Sequence, residues 1–409
     1  MESLRVLPSV LQTVEVPPSL SVTRLASSGD CRLKAILPPS AYPDWPPSPE
    51  AAFGRVVHSL MDLAARGQIQ STSSDARPIA SALDQLLRQE EMRLARAPIR
   101  PIYTDLQVAL GPREWLKRRS LAIARTRQVL ASRPCSAREF EPSQIPGISL
   151  ARALQSRNFT ASELPLESLT LRLRARLDFL SVSSDGLVEV TDFKSGNILD
   201  DEGEVEEVTA LQLRLYGLAI LELAPRTRLE LKVVSPAGTT QVTFSKEDIE
   251  NTSAWLAERI SSLPAGEHIE ADQLAVVGPQ CWGCTARLVC PAYRAAVSDL
   301  WKRTDLSTQL PLDTAGSIVE VEPSAEQTTT LRISDLAARI VKVHRLSPTI
   351  YSPTHFDRDS VYWFFNLASG EARLLNGKWR HPRNFNDLPG ATLERRAWTL
   401  QVYRAGPTS

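Results

Sequence analysis

The feature that most constrains the fold is a β-hairpin predicted in the middle of the chain. The segment LTLRLRARLDFLSV, which begins at Leu169, alternates apolar with polar side chains as a strand does. SSDG then supplies turn residues, and LVEVTDFK, which ends at Lys194, reads as the returning strand. A helical pattern, TALQLRLYGLAILEL, comes next, followed by a second predicted hairpin and another helix. Strands interleaved with helices predict an α/β domain over residues 1–300, with a mixed sheet flanked by helices.

The returning strand of this hairpin ends in charged residues. Side chains two positions apart on a strand share a side, so Asp192 and Lys194 project together while Phe193 faces a core. Hairpin pairing brings Asp178 near Asp192, and two neighbouring carboxylates repel unless a cation such as Mg²⁺ or Mn²⁺ lies between them. A surface salt bridge between Asp192 and Lys194 is the alternative interpretation. Strict alternation also predicts an apolar face on the first strand, formed by Leu173, Ala175, Leu177 and Phe179.

Two further pairs of residues lie one helical turn apart. Gly54 precedes His58 by four residues in GRVVHSLMDLAARG, and Gln212 precedes Tyr216 by four in LQLRLYG. Residues at this spacing lie on one face of a helix. Taken alone, the pattern around His58 is typical of a packed core histidine, and the second pair has no distinctive signal.

Three of the five cysteines crowd into one short segment. They are spaced C-x2-C-x5-C in QCWGCTARLVCP, and Cys31 lies far upstream in SGDCRLKAIL. A disulfide is not expected in a reducing cytoplasm, and this spacing indicates a metal centre. Zinc and a [4Fe-4S] cluster both accept four thiolates, so the spacing alone leaves both open.

In chain order, G-x-x-x-H, a strand Asp, D-x-K and Q-x-x-x-Y resemble the RecB-type branch of the PD-(D/E)XK nuclease superfamily, over roughly residues 21–297. The resemblance implies that Lys194 positions or activates the attacking water and that Gln212 and Tyr216 contact the substrate strand. Ala175 stands where the family often has glycine. The implied ligands of a Mg²⁺ or Mn²⁺ ion are His58, Asp178, Asp192 and the carbonyl of Phe193.

The cysteine pattern is similar to that of the iron–sulfur subset of this branch, which includes AddB nuclease subunits and CRISPR-associated RecB-like exonucleases. The segment SVTRLASSGDCRLKAIL also resembles the opening motif of that subset, with Arg32 in place of the usual proline. Cys135 matches no motif and is interpreted as a buried thiol. The resemblance implies a [4Fe-4S] cluster held by Cys31, Cys281, Cys284 and Cys290.

The last part of the chain differs in composition. Residues 301–330 are rich in Thr, Ser, Pro and Glu and are predicted to be a linker. Residues 331–409 hold 12 Lys plus Arg against 6 Asp plus Glu and read as a small basic, mostly β module that contacts nucleic acid or a partner. The aromatic residues at 362–365 alternate faces on a strand, which favours core packing over base stacking for most of them.

No apolar run is long enough for a membrane helix, and the first residues lack a basic leader, so we expect a cytoplasmic protein without a membrane partner. The motif GxxxxGK[ST] is absent, so unwinding would require a separate helicase or ATPase, or a defence-complex subunit.

The implied activity is a metal-dependent DNA nuclease that acts on single strands or duplex ends, as an exonuclease in DNA repair, CRISPR adaptation or antiphage defence. Two alternatives remain: a non-cleaving DNA-binding or scaffold subunit of a helicase–nuclease complex, and an RNA-directed enzyme.

Overall fold

The computed structural model describes most of the chain. Cys135, the predicted turn at residues 195–197 and residues 301–312 of the predicted linker lie outside the described residues. The described ranges are 4–38, 45–69, 75–97, 103, 105–132, 150–157, 159–194, 198–200, 202–235, 238–264, 268–281, 283–297, 313–323, 328–346, 351–367, 373–375, 378–380, 387–389 and 400–406.

Helices occupy both the first third of the described chain and the segments between strands. They are α1 (Val22–Ala26), α2 (Arg32–Ile36), α3 (Pro49–Ala65), α4 (Arg77–Arg96), α5 (Leu106–Leu110), α6 (Pro112–Ser132), α7 (Leu150–Leu154), α8 (Glu207–Leu223), α9 (Lys246–Ser261), α10 (Ala271–Leu274) and α11 (Pro291–Ala296).

The strands fall into two large sheets and two short pairs. They are β1 (Arg5–Val6), β2 (Thr13–Val14), β3 (Leu20–Ser21), β4 (Phe159–Ser168), β5 (Leu173–Val182), β6 (Leu187–Phe193), β7 (Arg228–Ser235), β8 (Gly238–Val242), β9 (Ile269–Glu270), β10 (Thr314–Pro323), β11 (Thr329–Asp335), β12 (Ile340–Leu346), β13 (Val361–Phe365), β14 (Arg373–Leu375), β15 (Lys378–Arg380), β16 (Asp387–Pro389) and β17 (Gln401–Arg404).

The first large sheet contains the predicted hairpin. β5 and β6 pair antiparallel, from Val182↔Val188 to Phe179↔Thr191. β4 pairs with the other edge of β5, β6 pairs parallel with β7, and β8 returns antiparallel beside β7. The short β3 pairs parallel with the start of β5. This mixed sheet, with helices on both faces, is the α/β architecture that the sequence predicts.

Two apolar cores cover the opposite faces of this sheet. The first core joins Val188, Val190 and Leu231 of the sheet to α8, which contributes Leu213 and Ala219. The second core joins the sheet to helices α3, α4 and α6 through Phe53, Leu60, Leu83, Ala122 and Phe193. Helix α3 therefore approaches the sheet from the side opposite α8.

Strict alternation fails on β5. Leu177 and Leu180 pack in the first core, whereas Phe179 packs in the second, so Phe179 does not share a face with Leu177 as the sequence predicts. The break coincides with Glu163 on the paired strand β4, whose backbone φ of 52° lies in the left-handed region. An interrupted pleat changes which side of the sheet each following side chain faces.

The second large sheet has the strand order β1-β17-β13-β10-β11-β12-β16. Residues 314–323, which composition suggests as linker, form the strand β10, whose main chain pairs antiparallel with β11 and β13. The first strand of the chain also belongs here, since β1 pairs parallel with β17. The second sheet therefore includes two strands, β1 and β10, that lie outside the predicted module of residues 331–409.

The aromatic strand β13 lies inside this sheet. All four aromatic side chains are buried, since apolar clusters cover both faces of the strand. Core packing is thus the role that the structure gives them, and base stacking is not available. They are Tyr362, Trp363, Phe364 and Phe365.

A buried polar cluster around Arg287 connects the cysteine-rich segment to the second sheet. Its guanidinium lies 2.5 Å from the Asp313 carboxylate and donates to Asn366 Oδ1 at 2.6 Å. Tyr293 donates its hydroxyl to the same carboxylate at 2.7 Å, and the guanidinium lies 4.6 Å from the centre of the Trp45 ring. Asp313 and Asn366 flank strands of the second sheet, so this cluster joins it to the cysteine-rich segment.

Within the described ranges, no helix is both long and apolar enough to cross a membrane.

Candidate active site

The candidate site lies where β5 and β6 part. Their last paired positions are Phe179↔Thr191, and Asp178 and Asp192 follow one step beyond. β6 continues beside β7 as far as Phe193↔Val234, so its end is held away from β5. The N–H of Phe193 donates to Asp178 Oδ2 at 2.8 Å and fixes that carboxylate against the strand end. The predicted approach of the two acids therefore arises from register and from one main-chain hydrogen bond.

Helix α3 brings His58 to Asp178. Ser48 caps this helix by accepting the N–H of Ala51, and the apolar face of α3 packs on the sheet. His58 Nδ1 lies 3.5 Å from Asp178 Oδ1 and 4.0 Å from Glu163 Oε1. Each of these three residues offers a ligand atom within 4.8 Å of the other two. The carboxylates and the imidazole thus form a group that suits a divalent cation.

Glu163 is the site residue that the sequence analysis missed. It lies across from Asp178, between the pairs Ser162↔Phe179 and Leu164↔Leu177 of strands β4 and β5. Burial raises the pKa of Glu163, and the charge of Asp178 adds to the effect. No spacing motif marks this residue, and only the pairing of β4 with β5 reveals it.

The charges in this group also affect His58. Burial opposes its protonation, but the hydrogen bond to Asp178 and the charges of Asp178, Glu163 and Asp192 raise its pKa overall. Excess negative charge therefore surrounds the imidazole, as expected where a cation is required.

A second group, on the α8 side of the sheet, surrounds Lys194. Its ammonium lies 3.0 Å from Asp192 Oδ2 and donates to Gln212 Oε1 at 3.1 Å. The amide of Gln212 donates to Asp192 Oδ1 at 3.0 Å and to the hydroxyl of Tyr216 at 2.5 Å. Gln212 and Tyr216 are buried, so in this structure they support Lys194 and Asp192. Their predicted contact with the substrate strand stays a prediction.

Asp192 is buried beside Lys194. The residue is 4 % exposed, and its Oδ2 lies 3.0 Å from the Lys194 ammonium, its charged partner. Burial raises the pKa of Asp192, and Lys194 opposes that shift. An ionised carboxylate oxygen has more than one acceptor site, so Oδ2 can contact a metal ion as well as the ammonium. Asp192 does not belong to the compact group of His58, Glu163 and Asp178, and its predicted ligand role stays a prediction.

The four predicted cluster cysteines come from two distant segments. Cys31 precedes α2, and the other three lie in and around residues 279–290. Burial raises the pKa of Cys281 to about 11 and that of Cys290 to about 12, and the other thiols add to both shifts. Lys34 links the segments, because its ammonium donates to Ser27 O at 2.6 Å and to Gln280 O at 3.1 Å. In the described chain, which includes these four cysteines, no three sulfur atoms lie within 4.8 Å of one another.

One comparison with known proteins gives a match. The family model described as the PD-(D/E)XK nuclease superfamily matches residues 19–291, about two thirds of the chain. No curated protein matches.

Proposed function

This chain belongs to the PD-(D/E)XK nuclease superfamily, a group of metal-dependent nucleases, and we propose that it is a RecB-type DNA nuclease acting on single strands or duplex ends. The superfamily match covers every residue of the two side-chain groups around Asp178 and Lys194. DNA repair, CRISPR adaptation and antiphage defence are the settings that this proposal covers, with unwinding supplied by a separate helicase.

One observation carries the proposal. The group of His58, Glu163 and Asp178 lies next to the network of Asp192 and Lys194, and the N–H of Phe193 joins them. A cation-binding group beside a fixed ammonium is the arrangement that phosphodiester hydrolysis requires.

Some residues of the site would bind the metal ion or supply charge, and others fix the position of the charged groups. His58, Asp178, Asp192 and the Phe193 carbonyl, with Glu163 as a further ligand, would hold a Mg²⁺ or Mn²⁺ ion, which would supply positive charge for the phosphodiester and for a bound water. Lys194 carries positive charge to the place where the transition state gains negative charge. Gln212 and Asp192 hold its ammonium, so little side-chain freedom remains to be lost when substrate binds.

The direct test is cleavage of a labelled single-stranded oligodeoxynucleotide in Mn²⁺. We expect the wild type to cleave it and EDTA to stop the reaction. Lys194→Ala removes one stabilising charge and lowers the rate on the order of 10²–10³-fold. Lys246→Ala is the matched control, because Lys246 also pairs with a carboxylate, that of Glu250, but is exposed on α9. The control is expected to cleave at the wild-type rate.

Two results would contradict this function. Equal cleavage by wild type and Lys194→Ala would indicate a contaminating nuclease, and no cleavage by wild type would favour the non-cleaving scaffold subunit. A ribo-oligonucleotide of the same sequence, assayed in parallel, distinguishes a DNA nuclease from an RNA-directed enzyme.

We also propose that Cys31, Cys281, Cys284 and Cys290 hold a [4Fe-4S] cluster. Support comes from thiols of distant segments that interact electrostatically, with the Lys34 ammonium beside them. Zinc also accepts four thiolates, so the choice of iron–sulfur over zinc rests on the resemblance of the cysteine pattern. The cluster would cross-link residue 31 to residue 281, and closing a loop of that length costs an unfolded chain about 5 kcal/mol.

The cluster proposal predicts a coloured protein with bound iron and sulfide after anaerobic purification. Cys284→Ala is expected to lose the visible absorbance and to melt at a lower temperature, because the cross-link is lost. Cys135→Ala, which removes the cysteine outside the motif, is the control and should retain both iron and colour. Full iron content in Cys284→Ala, or zinc in place of iron in the wild type, would contradict the assignment.

A further inference from the structure

A pocket opens beside the candidate active site, between helices α3 and α6. It encloses about 370 Å³, counted with its open mouth. His58 and Lys194 both line it, together with Phe193. The pocket therefore shares its wall with the residues proposed to act on the phosphodiester.

The rest of the wall is largely apolar. Helix α3 contributes Phe53 and Val57, and helix α6 contributes Leu121 and Ala122. Phe53 and Ala122 are held in the second core, so the wall is preformed. Apolar walls with a few polar groups at one side are typical of sites for small organic groups, such as a base or a sugar.

Two arginines of α6 add positive charge to this wall. Arg118 is paired with Glu114 of the same helix at 2.8 Å. Arg125 donates to the carbonyl of Ser235, at the end of β7, and has no acidic partner in the part of the chain that the structure describes. Burial lowers the pKa of Arg125. A half-buried guanidinium without an anion is unfavourable, and its remaining N–H donors match the oxygens of a phosphate.

We propose that this pocket binds one unpaired nucleotide next to the bond that is cleaved, with Arg125 on its phosphate and the apolar wall against its base and sugar. The proposal rests on the nuclease function. A base lies flat against the apolar wall only when it is unpaired. The substrate class is therefore a single strand or a frayed end, and an intact duplex must open before it enters.

Binding without cleavage tests the phosphate contact. A fluorescein-labelled single-stranded oligodeoxynucleotide is titrated with protein in EDTA at several salt concentrations, with anisotropy as the readout. For Arg125→Gln we expect about tenfold weaker binding and a slope of log K against log salt that is smaller by about 0.7, the value for one phosphate contact on a single strand. Arg113→Gln is the matched control, because Arg113 is exposed and lies about 18 Å along the same helix.

The wall of the pocket has its own test. Leu121→Trp fills the pocket from its half-buried position on α6 and should weaken single-strand binding while leaving the melting temperature close to that of the wild type. A single abasic substitution next to the cleaved bond should raise KM for the wild type more than for Leu121→Trp. Equal affinity of the wild type for single strands and blunt duplexes, or a wild-type salt slope in Arg125→Gln, would overturn the proposal.

The two proposals fail in different ways. If the wild type does not cleave but its metal-free binding still depends on Arg125, the nuclease function fails and the pocket assignment stands. If Lys194→Ala loses cleavage while Arg125→Gln keeps the wild-type KM and salt slope, the pocket assignment fails and the nuclease function stands.

Discussion

At the scale of single residues, Asp178 is the point on which the candidate site converges. His58 approaches it from α3, Glu163 from β4, and the main-chain N–H of Phe193 from β6. Three elements far apart in sequence thus place charged or polar groups around one carboxylate. Burial, together with the charge of Asp178, raises the pKa of Glu163. Burial opposes protonation of His58, but the neighbouring carboxylates raise its pKa overall, and a bound cation would offset their charge.

Glu163→Gln is expected to weaken Mn²⁺ binding by about tenfold or more, because it removes one anionic oxygen from the group while keeping its shape. Isothermal titration of Mn²⁺ into nucleic-acid-free protein measures this change. Glu167→Gln is the matched control, since Glu167 is exposed four residues further along the same strand. An unchanged affinity in Glu163→Gln would show that this carboxylate is not a ligand.

The sequence predicts part of this convergence. The D-x-K spacing and hairpin alternation predict that Asp178, Asp192 and Lys194 come together, and they do. His58 required the resemblance as well, because its helix carries no spacing relation to the strands. The sequence analysis did not predict Glu163 as a site residue. Its position depends on the pairing of β4 with β5 and on a left-handed backbone conformation, and a short motif indicates neither.

At the scale of elements, helix α3 must keep its place for His58 to reach Asp178. Arg55 of α3 donates to Glu90 of α4 at 2.5 Å, and Arg93 donates to the same carboxylate at 2.8 Å. Glu90 is buried, whereas both arginines are exposed at their edges. This three-residue contact therefore holds the helix that carries His58 against its neighbour.

Glu90 predicts a pH dependence of stability. Burial opposes its ionisation, but the hydrogen bonds and charges of Arg93 and Arg55 lower its pKa overall. The folded pKa lies below the unfolded value of about 4.3. The stabilisation that ionised Glu90 gives the folded state is therefore complete above that value and is lost as the pH falls through the folded pKa. Glu90→Gln should lose on the order of 1 kcal/mol at pH 7, and its difference from the wild type should shrink below about pH 4.

Urea unfolding at pH 7, 4 and 3 measures this difference. The control is Glu258→Gln on α9, where the glutamate is exposed. A constant difference between Glu90→Gln and the wild type across this pH range would contradict the ionic explanation.

At the scale of the whole molecule, the buried Arg287 cluster connects the cysteine-rich segment to the second sheet. Arg287 and Asp313 are both almost completely buried, and Asn366 and Trp45 complete the contact. A buried ion pair contributes little net stability, but removing one partner leaves an uncompensated charge. The geometry of the cysteine segment is therefore coupled to the integrity of the second sheet.

Asp313→Asn should destabilise the protein by about 3–5 kcal/mol, because the Arg287 guanidinium would remain buried without its anion. Denaturant unfolding followed by tryptophan fluorescence measures the loss, since Trp45 contacts Arg287 and Trp363 packs in the same apolar cluster as Tyr293. Asp359→Asn, an exposed position of the second sheet region, is the control. Equal unfolding midpoints for Asp313→Asn and the wild type would contradict the coupling.

The pairing of β1 with β17 joins residues 5–6 to residues 403–404. During translation, the ribosome releases Arg5 and Val6 almost 400 residues before their partner strand exists. The nuclease domain can therefore fold while this edge is still open, and the nascent chain must keep a short unpaired strand from associating with other polypeptides until synthesis reaches β17. A ribosome stalled before Gln401 should consequently carry a nuclease-competent chain whose second sheet is incomplete.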